Sequence, residues 1–269
     1  MLINLLPLLK IKNMQPMQIH TLQGYIQNIF LVEYADKLLL LDGCSRPDIP
    51  PVCDFIRQTL ERPLSDLKLI VVTHMHPDHA GGAHRLRDIT GAEIAAHPNT
   101  QSWYAGTKGK IAHAIDVLLT WWVAGRMGQP KRHIWYDAVL KPDYLLQDGQ
   151  PLPGFAEWQA LYTTGHTDHD ISLFHQPGRQ LYVADLIVRV KNKLVPPYPV
   201  FHPREYRQSL QRVADLEPEL VYFAHVPACN GTDIPFATLL SMAPQRPKTY
   251  WYSTKSHIAR KLGRRRCNV

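Results

Sequence analysis

The chain has 269 residues, 45% hydrophobic and 20% charged, enough for one large globular domain or two small ones and too rich in apolar residues for disorder. Its formal charge of +7 is local: residues 254–269 hold six basic side chains and no acid, which leaves 24 basic against 23 acidic residues elsewhere. A nearly neutral body excludes a nucleic-acid-binding face, and four scattered cysteines, Cys44, Cys53, Cys229 and Cys267, exclude a disulfide framework and favour a reducing, cytoplasmic setting.

Residues 1–16 read as an N-terminal extension, since they show neither a basic n-region nor a small-residue cleavage site. The main domain is expected over 17–253, with a basic, solvated tail over 254–269. "NIFLVEY" and "KLLLLDG" read as two strands of a hairpin, with Asp42-Gly43 a turn at the end of the second. "PDIPPVCDFIRQTL" reads as a helix opened by Pro50 and Pro51, and "LKLIVV" as a buried strand running straight into "THMHPDHAGG". "AHRLRDITG" reads as a helix stopped by Gly91, and "AEIAAH" as another strand. Residues 111–124 carry Ile111, Ile115, Leu118, Leu119 and Trp122 at helical spacing, and "VLLTWWVAG" is too short to span a bilayer. "LYTTGHTDHDISLF" reads as strand–loop–strand and "RQLYVAD" as a strand leading to Asp185. "PREYRQSLQRVADL" reads as a helix, and "ELVYFAH" as a last strand ending at His225. The chemistry gathers where buried strands stop.

His74 and His76 lie two apart on a nearly extended segment, so both imidazoles face one point. Asp78 and His79 follow the bend at Pro77 and turn toward a neighbouring point, so H-x-H-x-D-H describes two half-sites side by side. The chance of this pattern in a chain of such composition is roughly two in a thousand, which makes a histidine-rich surface turn the weaker reading. Gly81 and Gly82 leave room where the chain turns and a substrate or ligand loop comes close. Two metal ions need more ligands than this stretch supplies. His166, Asp185 and His225, each at a strand end, are of the types zinc accepts.

The order "THMHPDH", "TTGHTDH", "YVAD", "FAH", with "LLLLDG" upstream, resembles the metallo-β-lactamase superfamily over roughly residues 20–230, on the side of its glyoxalase II and lactonase-like branch. No cysteine stands at a ligand position, unlike the Cys-liganded β-lactamases. The resemblance implies an α/β fold, a four-layer αβ/βα sandwich of two mixed β-sheets flanked by helices, with the metals at one edge between the sheets. It carries His74, His76 and His166 to a first metal, Asp78, His79 and His225 to a second, and Asp185 to both. Asp42 matches a carboxylate that orients ligand histidines; otherwise it is the Asp of a turn. Two divalent ions are implied, zinc first, with iron or manganese tolerated. Asp78 and Asp185 are then the catalytic carboxylates: they remove two of four positive charges and leave about two to hold hydroxide at neutral pH.

The implied activity is hydrolysis of a small ester, thioester or lactone. The alternatives are a mononuclear iron oxidoreductase acting on a thiol or persulfide, and a non-catalytic metal-binding scaffold. Segment 103–136 is rich in Trp, Tyr and Met and has three readings: a lid over an apolar pocket, a helix packed on the sheet, or a homodimer contact. Trp122, Tyr198 and His202 are candidate pocket residues, and Arg189 and Lys191 could attract a carboxylate. His169 is either a substrate contact or proton carrier, or an exposed loop residue.

Overall fold

The computed structural model describes residues 17–249; the extension over 1–16 and the tail over 254–269 lie outside the described residues. The apolar runs become two six-stranded sheets. Strands β1 (Gln18–Gln23), β2 (Asn28–Glu33) and β3 (Leu38–Leu40) form an antiparallel meander. Strands β4 (Leu67–Val72), β5 (Glu93–Ala96) and β6 (Tyr144–Leu145) extend it in parallel. The second sheet begins with the antiparallel strands β7 (Pro151–Leu152), β8 (Phe155–Tyr162), β9 (Ile171–His175) and β10 (Gln180–Tyr182). A separate hairpin of β11 (Val188–Val190) and β12 (Lys193–Val195) follows. Strand β13 (Leu220–Tyr222) then lies parallel to β10, and β14 (Cys229–Asn230) closes the edge.

The helices are α1 (Ile49–Asp54), α2 (Pro77–Ala80), α3 (Ala83–Thr90), α4 (Gly106–Arg126), α5 (Pro203–Asp215) and α6 (Phe236–Met242). The helix expected at 111–124 therefore runs longer at both ends. The strand expected to end at His225 is β13, which stops at Tyr222, and His225 stands beyond it.

Period-two alternation explains the layering. In the first sheet, Ile29, Leu31, Leu38, Leu40, Ile70 and Val72 pack toward Val52, Leu86 and Val117 of the helices. Their alternates Phe30, Val32, Leu39, Leu69 and Val71 meet Trp158, Ala160, Leu173 and Tyr182 of the second sheet. On the far side, Leu161, Phe174, Leu181 and Val221 pack against Leu210, Val213 and Leu239 of α5 and α6. Three cores thus separate four layers, helices–sheet–sheet–helices. Strands β2, β3, β4 and β9 are buried on both faces, which is why they read as nearly unbroken apolar runs.

Candidate metal centre

Chain continuity brings both sheets to one edge. The segment expected to be nearly extended instead bends at residues 74–76 after β4, and Pro77 opens α2 with His76 at its N-cap, which carries Asp78 and His79 round to a second point. Gly82 makes the sharp return possible: a Cβ there would stand 2.8 Å from Cys44 Sγ and from Gly43 O. The close neighbour is the chain after β3, not a substrate, which corrects the expectation for that glycine. At Gly165, where φ is +143°, a Cβ would meet the Tyr206 backbone, so glycine is what lets His166 swing inward over α5.

All seven expected ligands meet at this edge, in two groups. In the first, His76 Nδ1 is 3.0 Å from His74 Nε2 and 3.1 Å from His166 Nε2. In the second, Asp78 Oδ2 is 3.4 Å from His79 Nε2 and 3.2 Å from His225 Nε2. Asp185 joins them. Its Oδ2 lies 3.9 Å from His74 Nε2 and 3.6 Å from His166 Nε2, while its Oδ1 lies 3.4 Å from His79 Nε2 and 3.2 Å from His225 Nε2.

The donor set fits a pair of divalent cations. His79 Nε2 and Asp185 Oδ1 are buried, face the junction and make no hydrogen bond. Burial would lower the His225 imidazole, but Asp185 and Asp78 outweigh it and lift it to about 10. Burial likewise opposes charge on His79, and Asp78, Asp42 and Asp185 raise it all the same. Burial would raise the Asp78 and Asp185 carboxyls, yet His79 and His225 hold both low. Two buried carboxylates therefore demand positive charge at this point, which protons or metal ions can supply in competition. In the other group burial and neighbouring imidazoles push His74 down, and push His76 down to about 3, leaving neutral rings with lone pairs to give.

The nitrogen turned away from the junction is anchored in four of the histidines. His79 Nδ1–H donates to Asp42 Oδ2 at 2.6 Å, His166 Nδ1–H to Pro199 O at 2.6 Å and His225 Nδ1–H to Ile26 O at 3.0 Å. His74 Nδ1–H donates to Thr73 Oγ1, which donates in turn to Asp42 Oδ2. Asp42 also accepts from Tyr182 OH and from the Gly43 and Thr73 N–H groups. It is much more than the Asp of a turn.

His169 requires a correction. It is fully buried, neither a substrate contact nor an exposed loop residue. Its Nδ1–H donates to Asp168 Oδ1, and its Nε2 accepts the Met75 N–H at 3.0 Å. The Met75 carbonyl accepts from Tyr136 OH. The peptide between His74 and His76 is thus clamped on both sides, a role not legible in the sequence. Thr73 and Tyr182 were missed for the same reason.

A cavity of about 1110 Å³ opens over both groups, with His76, Asp78, Asp185 and His225 in its floor. Helix α4 supplies one wall, including Trp122, and the hairpin and Tyr198 the other, with Arg126 and Arg189 among the lining. Of the 103–136 segment, residues 115–127 form a pocket wall, while Val117 and Ala124 of α4 join the core on the outer side of the first sheet. His202 does not line the cavity; it caps α5 and donates its N–H to Gly165 O. Lys191 is likewise absent from the lining.

A family model described as the metallo-beta-lactamase superfamily matches residues 22–225. The probable metallo-hydrolase YflN of Bacillus subtilis (strain 168) is 25% identical over 223 residues, 77% of this chain and 83% of that one. The metallo-beta-lactamase family protein TTHA1429 from Thermus thermophilus superposes with a TM-score of 0.63 at 18% identity, covering 84% of this chain and 78% of that one. TTHA1623 in a di-iron-bound form superposes with a TM-score of 0.56 at 22% identity, over 80% and 95% of the two chains.

Proposed function

This chain belongs to the metallo-beta-lactamase superfamily, and from that membership and its paired ligand groups we propose that it is a two-metal hydrolase of a small ester, thioester or lactone, with zinc as the resident ion. The observation that carries the reading is Asp185, whose two oxygens face different ligand groups. His74, His76 and His166 would hold one ion, Asp78, His79 and His225 the other, and Asp185 both. When bound, the ions supply Lewis-acid polarisation of a carbonyl and acidify water to near neutrality.

The chain's own residues do the rest. Asp78 and Asp185 offset part of the charge and leave a net positive site. The anchored histidines hold their lone pairs in place without reorganisation. The walls from α4 and the hairpin take up the apolar part of a substrate and displace water, and Arg126 and Arg189 suit a carboxylate at its far end. Free Cys44, Cys53 and Cys229 support the cytoplasm as its place of action.

Metal analysis of protein purified without a metal-binding tag, followed by a panel of esters, thioesters and lactones, tests the proposal. About two zinc ions per chain are expected, with turnover lost on chelation and in Asp185→Asn. The second reading is redox chemistry at a mononuclear iron held by the same ligands; a single iron per chain with thiol oxidation would favour it. Retained metal without turnover of any substrate would leave a binding scaffold.

A further inference from the structure

Each ligand histidine has one nitrogen turned to the junction and one turned away. For His74, His79, His166 and His225 the second is held by a hydrogen bond. His76 is different: its Nδ1 faces His74 and His166, and its buried Nε2 makes no hydrogen bond. A carboxylate oxygen stands near it, Asp116 Oδ2 at 3.9 Å. Asp116 is 6% exposed, lies midway along α4, and accepts from Tyr104 OH at 2.8 Å through the same oxygen.

We infer that Asp116 is the positioning carboxylate of His76, accepting its Nε2 proton and thereby aiming the Nδ1 lone pair between His74 and His166. The inference rests on the metal-site reading above. Both groups are largely buried, where a carboxylate and an imidazole N–H attract each other more strongly than in bulk water. Closing 3.9 Å to hydrogen-bond length takes about 1 Å. Such bonds are commonly long before substrate and cofactor bind and tighten afterwards. The contact also ties a metal ligand to the helix that forms the substrate wall, because Asp116, Leu119 and Trp122 line the same cavity.

Nitrogen-15 histidine spectra of the full chain, metal-free and zinc-loaded, read the tautomer directly; His76 is expected with its proton on Nε2. Zinc affinity by chelator competition is expected to fall roughly 10–100-fold in Asp116→Ala and to recover in part in Asp116→Glu. Tyr104→Phe removes the hydroxyl that Asp116 accepts from but keeps the carboxylate, and should stay within about threefold of the wild type. A proton on Nδ1 of His76, or an Asp116→Ala affinity equal to the Tyr104→Phe value, would overturn the assignment. If Asp116→Ala does not fold, the wild-type tautomer decides. If the wild-type chain takes up no metal, the hydrolase reading falls, and the tautomer of the metal-free chain still decides on Asp116.

Discussion

Met75 shows how single residues hold the centre. Its side chain is fully buried, its N–H goes to His169 and its carbonyl to Tyr136. His169→Ala leaves that N–H buried without an acceptor, so denaturant unfolding should register a loss of about 1–3 kcal/mol. Metal affinity should fall with it, while KM for any substrate stays unchanged, since His169 has no exposed surface. Asp42 carries more: it accepts from His79, Thr73, Tyr182 and Gly43. Asp42→Ala should cost about 3–5 kcal/mol and weaken metal binding by roughly 10–100-fold. Chelator competition and melting curves on the same sample check both. A variant that binds metal as tightly as the wild type would remove Asp42 from the site.

At the scale of elements, α4 has two working faces. One joins the core on the outer side of the first sheet through Val117 and Ala124; the other lines the cavity and presents Asp116. Among the described residues, Leu118, Trp122, Met127, Val190 and Tyr198 are large, apolar and exposed, and all five line that cavity. Such concentration of apolar surface beside a polar floor suits a ligand with an apolar arm. Trp122 is 60% exposed, so Trp122→Ala should change stability by less than about 0.5 kcal/mol. KM should rise about tenfold for substrates with long acyl chains, from lost burial, and hold steady for acetyl analogues. Equal effects on both would detach the helix from substrate binding.

Across the whole molecule, the centre joins the two sheets. His74, His76, Asp78 and His79 follow β4 of the first sheet; His166, Asp185 and His225 leave β8, β10 and β13 of the second. Ions held between them would cross-link the sandwich at one edge. A metal present at a hundred times its dissociation constant adds about 2.7 kcal/mol to folding stability. Chelation should therefore lower Tm by roughly 5–10 °C in a chain of this size. An unchanged Tm in a chain shown to bind metal would mean that the edge is already rigid. No helix among the described residues is long and apolar enough to cross a membrane.

The seven ligand candidates were legible in sequence because they sit where apolar runs stop, and because the H-x-H-x-D-H spacing compresses two half-sites into one turn; the role of Asp42 came from the family resemblance, since its position alone reads as a turn. Gly91 was legible as a helix stop because its left-handed backbone, φ +79°, strongly favours glycine. The two-residue strands β6, β7 and β14 were not, since so short a run has no period to detect. Nor could sequence say that His169 turns inward to Met75, that His202 caps a helix away from the cavity, or that Asp116 reaches His76. Local spacing dictates which side chains share a face, so it determined the chemistry on offer. Which way a loop side chain points, and what it meets from a distant part of the chain, depends on how the layers pack, and only the tertiary structure decided that.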